Sequence, residues 1–145
     1  TSGNIDFGDL NWEKRKYRTW SAYSDSKLAN LYFTYELSRK LGEDKGNPII
    51  LASHPGWTAT DLQRFSGVAN FMNIFLGQKV NIGALGGLRA ATDPTAKSND
   101  YFCSPFIGGM KGYPVLVKSN ELSYNTDKAK KLWKLSEELT GVRYD

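Results

Sequence analysis

The chain is short of cysteine and histidine, with one of each, Cys103 and His54, in 145 residues. A lone cysteine excludes an internal disulfide framework, and one imidazole beside it gives no Cys/His set for zinc, so no metal site is expected. Long apolar runs are missing too: none approaches the ~20 residues of a membrane span, and the basic-then-apolar opening of a secretory signal is absent. A cytoplasmic protein without a transmembrane segment is the expectation. Excess charge of one sign is small, 19 basic against 15 acidic residues for a formal +4, which suits solubility as well as an anionic ligand. No nucleic-acid partner is expected, since the lysines of the last helical stretch alternate with an apolar face. The chain begins at Thr1-Ser2-Gly3 without a methionine, as a fragment does. With 40% hydrophobic residues it can bury one core, and a single partial domain over 1–145 is the expected organisation.

What is present is organised around residues 21–30, Ser-Ala-Tyr-Ser-Asp-Ser-Lys-Leu-Ala-Asn. Residues 21–41 are good helix formers without proline, stopped by Gly42, so a helix is predicted there. Its apolar rows, Leu28, Leu31, Tyr35 and Ala22, Ala29, Phe33, Leu37, Leu41, predict cover on more than one side. Tyr23 and Lys27 lie one turn apart on one face, so the ammonium can sit beside the phenol and favour its ionised form. That pair suits proton transfer. Tyr124 and Lys128 share the spacing, however, and context must separate the two.

The flanking segments supply that context. Residues 3–20 show no periodicity and read as a surface connection with two Trp anchors, Trp12 and Trp20. Residues 48–53, Pro-Ile-Ile-Leu-Ala-Ser, predict a parallel strand buried on both faces, ending at His54-Pro55-Gly56. Ligands of open α/β sheets bind beyond such strand ends. Thr60-Asp-Leu-Gln63 fits a helix-capping box, and the apolar residues 65–76 read equally as a lid or as core. A helix over 82–93 capped at Asn81, a short strand at 101–103 with Cys103 as a small buried hydrophobe, an extended stretch at 113–117 and a last helix over 126–139 complete the chain. Gly83-Ala-Leu-Gly86-Gly87 follows no strand and is not a nucleotide loop. Tyr124 and Lys128 have no buried strand after them and are read as coincidence.

The order of a helix with Tyr23-x-x-x-Lys27, Ser26 before the lysine, a buried strand, and then Pro55-Gly-Trp-Thr-Ala-Thr60 resembles the carboxyl-terminal half of the short-chain dehydrogenase/reductase family. From Gly3-Asn-Ile-Asp-Phe to Leu-Ser-Glu-Glu-Leu-Thr-Gly141 it is similar to the retinol-dehydrogenase-like branch and related bacterial oxidoreductases. The fold implied is α/β, the C-terminal portion of a doubly wound, Rossmann-type parallel sheet with flanking helices, its nucleotide-binding N-terminal strands missing. The resemblance implies an NAD- or NADP-dependent oxidoreductase that interconverts hydroxyl and carbonyl on an apolar alcohol, aldehyde or ketone. Tyr23 would be its acid/base and Lys27 its ribose anchor, while Pro55, Gly56, Trp57, Thr58 and Thr60 would meet the cofactor. It also implies a homo-oligomer through helix 21–41. The family's glycine-rich loop, ribose-selecting residue, Asn-Ala-Gly segment and catalytic serine have no counterpart here, so the chain alone is expected to be inactive. The alternative is a non-catalytic binding or oligomerisation module of the same fold.

Overall fold

A computed structural model of the chain describes residues 3–42, 44, 46–58, 77–106 and 108–144. They fall into two compact units, one made of 1–50 with 119–145 and the other of 51–118. The capping box at 60–63 and the apolar run 65–76 lie outside the described residues.

The first unit is built on helix α1, Thr19–Leu41, which ends at Gly42, whose N–H donates to the Ser38 carbonyl at 3.1 Å. Arg39 and Lys40 occupy its last turn, where cations complement the helix dipole. The stripe that α1 buries is Leu28, Tyr32 and Tyr35, spaced by one helical turn. Tyr32 belongs to neither apolar row read from the sequence, and Phe33, from one of those rows, stays half exposed while stacking on Trp133 at 5.2 Å. Leu28 and Tyr32 form a core with Ile5 and with Ala129, flanked by Phe7, Leu10, Ala29 and Leu132. Ala129 and Leu132 come from the last helix, Thr126–Thr140, whose start is capped by the Asn125 side chain accepting from the Lys128 N–H at 2.9 Å. A short 3-10 turn, Glu121–Tyr124, precedes it and closes over Tyr35.

The second unit holds a three-stranded sheet. Strand β1, Ala52–Ser53, pairs in parallel with β2, Tyr101–Cys103, placing Ala52 opposite Tyr101 and Ser53 opposite Phe102. Strand β3, Val115–Val117, runs antiparallel to β2. The sheet is thus mixed and not wholly parallel: the connection 104–114 falls short of the crossover of about a dozen residues or more that a parallel pair needs, so the chain returns as a hairpin. The doubly buried strand expected over 48–53 is likewise reduced to β1. Its only ladder partner among the described residues is β2, and Ile49 remains 53% exposed. Helix α2, Val80–Thr92, starts before the expected 82, so Asn81 lies inside its first turn and its Oδ1 accepts from the Ile82 N–H at 3.0 Å. We call the last helix α3. Phe102 and Cys103 are buried on β2, as expected of Cys103, and burial pushes the Cys103 thiol up from its ordinary value. Among the described residues no helix is long and apolar enough to cross a membrane.

Candidate active site

On α1, Tyr23 and Lys27 project together: the Lys27 ammonium stands over the Tyr23 ring, 5.2 Å from its centroid. Trp20, one turn earlier, meets the same ring edge-on with centroids 6.3 Å apart. The ring is therefore braced by an indole and an ammonium, while Tyr23 keeps 42% of its surface exposed. Ser26 turns its hydroxyl onto the helix backbone and donates to the Tyr23 carbonyl at 2.7 Å. The second pair with this spacing is not on one helix: Tyr124 ends the 3-10 turn and stacks on Tyr35 at 5.2 Å, while Lys128 lies in α3 beyond its cap.

The segment before α1 is fastened by carboxylates that periodicity could not reveal. Asp9 accepts from the backbone N–H groups of Glu13, Lys14 and Arg15 at 2.7, 3.1 and 3.1 Å. Burial pushes its carboxyl up, but these three bonds and the Arg15 guanidinium outweigh that and hold it below its ordinary value. Asp25, two positions beyond Tyr23, accepts from the Asn4 N–H at 2.8 Å and pairs with Arg15 Nη2 at 3.6 Å. The Arg15 guanidinium also covers the Trp12 ring at 3.7 Å. Trp12 is the anchor of this segment, whereas Trp20 is 60% exposed and is not one. An open cleft of about 510 Å3 lies here between Trp12, Arg15, Lys16, Arg18, Trp20 and Asp25; Tyr23 does not line it.

In the second unit, β1 delivers the chain into His54, whose N–H donates to the Phe102 carbonyl at 2.8 Å. The His54 ring turns back, and its Nδ1 accepts from the Gly56 N–H at 3.0 Å. The histidine thereby shapes the strand end. Gly56 has φ 72°, and a Cβ there would stand 2.6 Å from the Met110 carbonyl oxygen and 2.5 Å from Gln78 Nε2. Only glycine meets both demands. Trp57 donates from its N–H to Met110 O at 2.7 Å, and the Thr58 hydroxyl donates to the Pro55 carbonyl at 2.9 Å. The buried Gln78 donates from Nε2 to the same Pro55 carbonyl at 2.5 Å and from its own N–H to Trp57 O at 2.9 Å. On the helix side, Gly83 of α2 faces the Thr58 side chain and Gly86 faces the His54 carbonyl.

Of the residues singled out from the sequence, Tyr23 and Lys27 come together in the first unit, and Pro55, Gly56, Trp57 and Thr58 form one hydrogen-bonded loop in the second. Thr60 lies outside the described residues. Gln78, Asp9, Arg15 and Asp25 gave no sequence signal, because each acts across a gap in the chain or inside a loop that has no period.

No family model matches the chain. It is 47% identical over 79 residues to human retinol dehydrogenase 13, a match covering 52% of this chain and 23% of that protein. Mouse retinol dehydrogenase 14 is 32% identical over 144 residues, 97% of this chain and 41% of its own length. The Arabidopsis thaliana protein named dehydrogenase/reductase SDR family member FEY is 32% identical over 160 residues, 99% of this chain and 40% of its own. Among solved structures, an uncharacterised protein from Mycobacterium paratuberculosis superposes with a TM-score of 0.74 at 36% identity, over 99% of this chain and 47% of that one. The chain thus spans less than half the length of each of these relatives. It is a homologue of retinol dehydrogenases and other members of the short-chain dehydrogenase/reductase family, matched over part of their length, with a mixed α/β fold that resembles a fragment of their Rossmann-type domain.

Proposed function

We propose that this chain is the catalytic portion of an NAD- or NADP-dependent oxidoreductase that interconverts a hydroxyl and a carbonyl on an apolar substrate. The observation that carries the reading is the Tyr23 and Lys27 pair on one face of α1, the ammonium over the aromatic ring at 5.2 Å from its centroid, in a chain homologous to retinol dehydrogenases. Their donor set fits the cofactor: an ammonium has three N–H donors for ribose hydroxyls, and a phenol both donates and accepts. When bound, the nicotinamide ring supplies or takes up the hydride at the substrate carbon. Tyr23 does the complementary work at oxygen, donating its phenolic proton as the carbonyl is reduced and accepting one as the alcohol is oxidised. Lys27 holds the ribose and offsets the negative charge left on the phenol. By the resemblance, Pro55, Gly56, Trp57, Thr58 and Thr60 would meet the nicotinamide end. Because the backbone N–H groups of Gly56 and Trp57 are engaged by His54 and Met110 and the Thr58 hydroxyl by the Pro55 carbonyl, this loop contributes its shape.

The reading extends to setting and assembly. We place the protein in a reducing cytoplasm, where Cys103 stays a thiol. A second reading is self-association through helix 21–41, where the Phe33 side chain stays 51% exposed. Sedimentation tests it: a monomer at micromolar concentration removes it. For the enzyme reading, the experiment is dinucleotide-dependent turnover of a panel of apolar alcohols, aldehydes and ketones, measured on the protein at the length of its relatives. Oxidation or reduction of panel members is expected, and its absence with both dinucleotides contradicts the reading.

A further inference from the structure

We propose that Gln78 is the positioning residue of the cofactor loop, fixing the backbone of 55–57 in the form that receives the nicotinamide end. This rests on the cofactor-binding reading of that loop. The Gln78 side chain is 7% exposed, and its two ends serve different segments. Nε2 donates to the Pro55 carbonyl at 2.5 Å, while Oε1 accepts from the Gly112 N–H at 3.1 Å. The backbone adds a further tie, Gln78 N–H to Trp57 O at 2.9 Å, beside a parallel bridge between Gln78 and Thr58.

The segment at the far end of the carboxamide is itself stiff. Phe106 and Lys111 form an antiparallel bridge, and the buried Ser104 hydroxyl donates to the Gly112 carbonyl at 2.9 Å. One buried amide thus ties the Pro-Gly turn to a braced hairpin. The same amide nitrogen leaves Gly56 no room for a Cβ. Gln78 touches no reacting atom, so its influence is on where the loop sits.

Glutamate at 78 keeps the acceptor for Gly112 but sets an oxygen against the Pro55 carbonyl, and methionine removes both bonds at similar volume. The test is steady-state kinetics of Gln78→Glu and Gln78→Met in the protein at the length of its relatives, with Tyr23→Phe alongside. Each Gln78 variant is expected to raise the KM for the dinucleotide about tenfold, the scale of one lost part-buried hydrogen bond that no longer holds the loop. The kcat at saturating dinucleotide is expected to stay within about twofold, because binding and not the chemical step is altered. An unchanged dinucleotide KM in either folded variant, or a fall in kcat alone, overturns the proposal while Tyr23→Phe still reports on the reading beneath it. If Tyr23→Phe keeps its rate, the enzyme reading falls and takes this inference with it. If neither Gln78 variant folds, Gln78 is a structural residue only and the proposal is overturned.

Discussion

The Lys27 ammonium lies over the face of the Tyr23 ring, 5.2 Å from its centroid, and both side chains ride on one turn of α1. A rigid helix therefore sets their separation, with Trp20 edge-on to the ring at 6.3 Å. Replacing Lys27 by Met keeps much of the stem but removes the charge. In the protein at the length of its relatives, Lys27→Met should lower kcat/KM by ~10²-fold or more, on the scale of losing a positioned acid/base partner. Initial-rate kinetics against the dinucleotide measure it, and an unchanged value contradicts the role given to Lys27.

Two glycines on α2 should respond with opposite signs. Gly83 is buried with its face against the Thr58 side chain, whereas Gly87 is exposed with open space around it. Gly87→Ala should stabilise by about 0.5–1 kcal/mol, the helix-propensity difference. Gly83→Ala should destabilise, by about 1–3 kcal/mol for overpacking. Urea unfolding of the two variants beside the wild type reads both signs.

The hydroxyl of Tyr35 meets Ser119 Oγ at 2.7 Å, and that oxygen meets Ser123 Oγ at 2.7 Å. Burial is the main cause that pushes the Tyr35 phenol up to about 12, with the stacked Tyr124 adding to it and the Ser119 bond opposing it. A folded value above the unfolded ~10 means that this phenol adds its stability in full below about pH 10. The contribution fades as the pH rises toward 12. Burial also pushes the Tyr32 phenol up, so ultraviolet titration should show late-ionising phenols in the wild type and one fewer in Tyr35→Phe. That variant should also lose about 1 kcal/mol at neutral pH, one hydrogen bond to a hydroxyl.

Asp9 makes the opposite pH prediction. Its carboxyl is held below the ordinary value while it accepts three backbone N–H groups. A depressed folded value gives stability that is present above ~3.9 and disappears as the pH falls through the lower folded value. Thermal melts across pH should therefore show Asp9→Ala with a lower Tm than the wild type at neutral pH. The gap should close in strong acid; a gap constant with pH contradicts this account.

The helices were the most legible part of the chain. Over 19–41 and 126–140 the residues are consistent helix formers, and Gly42 and Gly141 mark the ends. The loop after β1 was legible as a place, because an apolar run stopped by His54-Pro55-Gly56 is a local signal. The strands were less so: 48–53 has the composition of a doubly covered strand, but pairing is a property of neighbours, and β2 is the one neighbour found among the described residues. Tyr32 escaped the apolar rows although it is 1% exposed, because the row through Leu28 continues to Leu31 and not to the residue one turn on that meets Ala129 and Ile5. Gln78 was invisible for a stronger reason. Its two carboxamide partners, Pro55 and Gly112, lie far from it in the chain on opposite sides.

The central claim is that Tyr23 moves the proton. Its most direct test is Tyr23→Phe in the protein at the length of its relatives, which removes one oxygen from an exposed side chain and should leave the fold intact. Turnover at saturating dinucleotide and substrate should fall by ~10²- to 10⁴-fold, the usual worth of a positioned acid/base group, with the circular dichroism spectrum unchanged. A folded Tyr23→Phe enzyme that turns over at the wild-type rate would contradict the account.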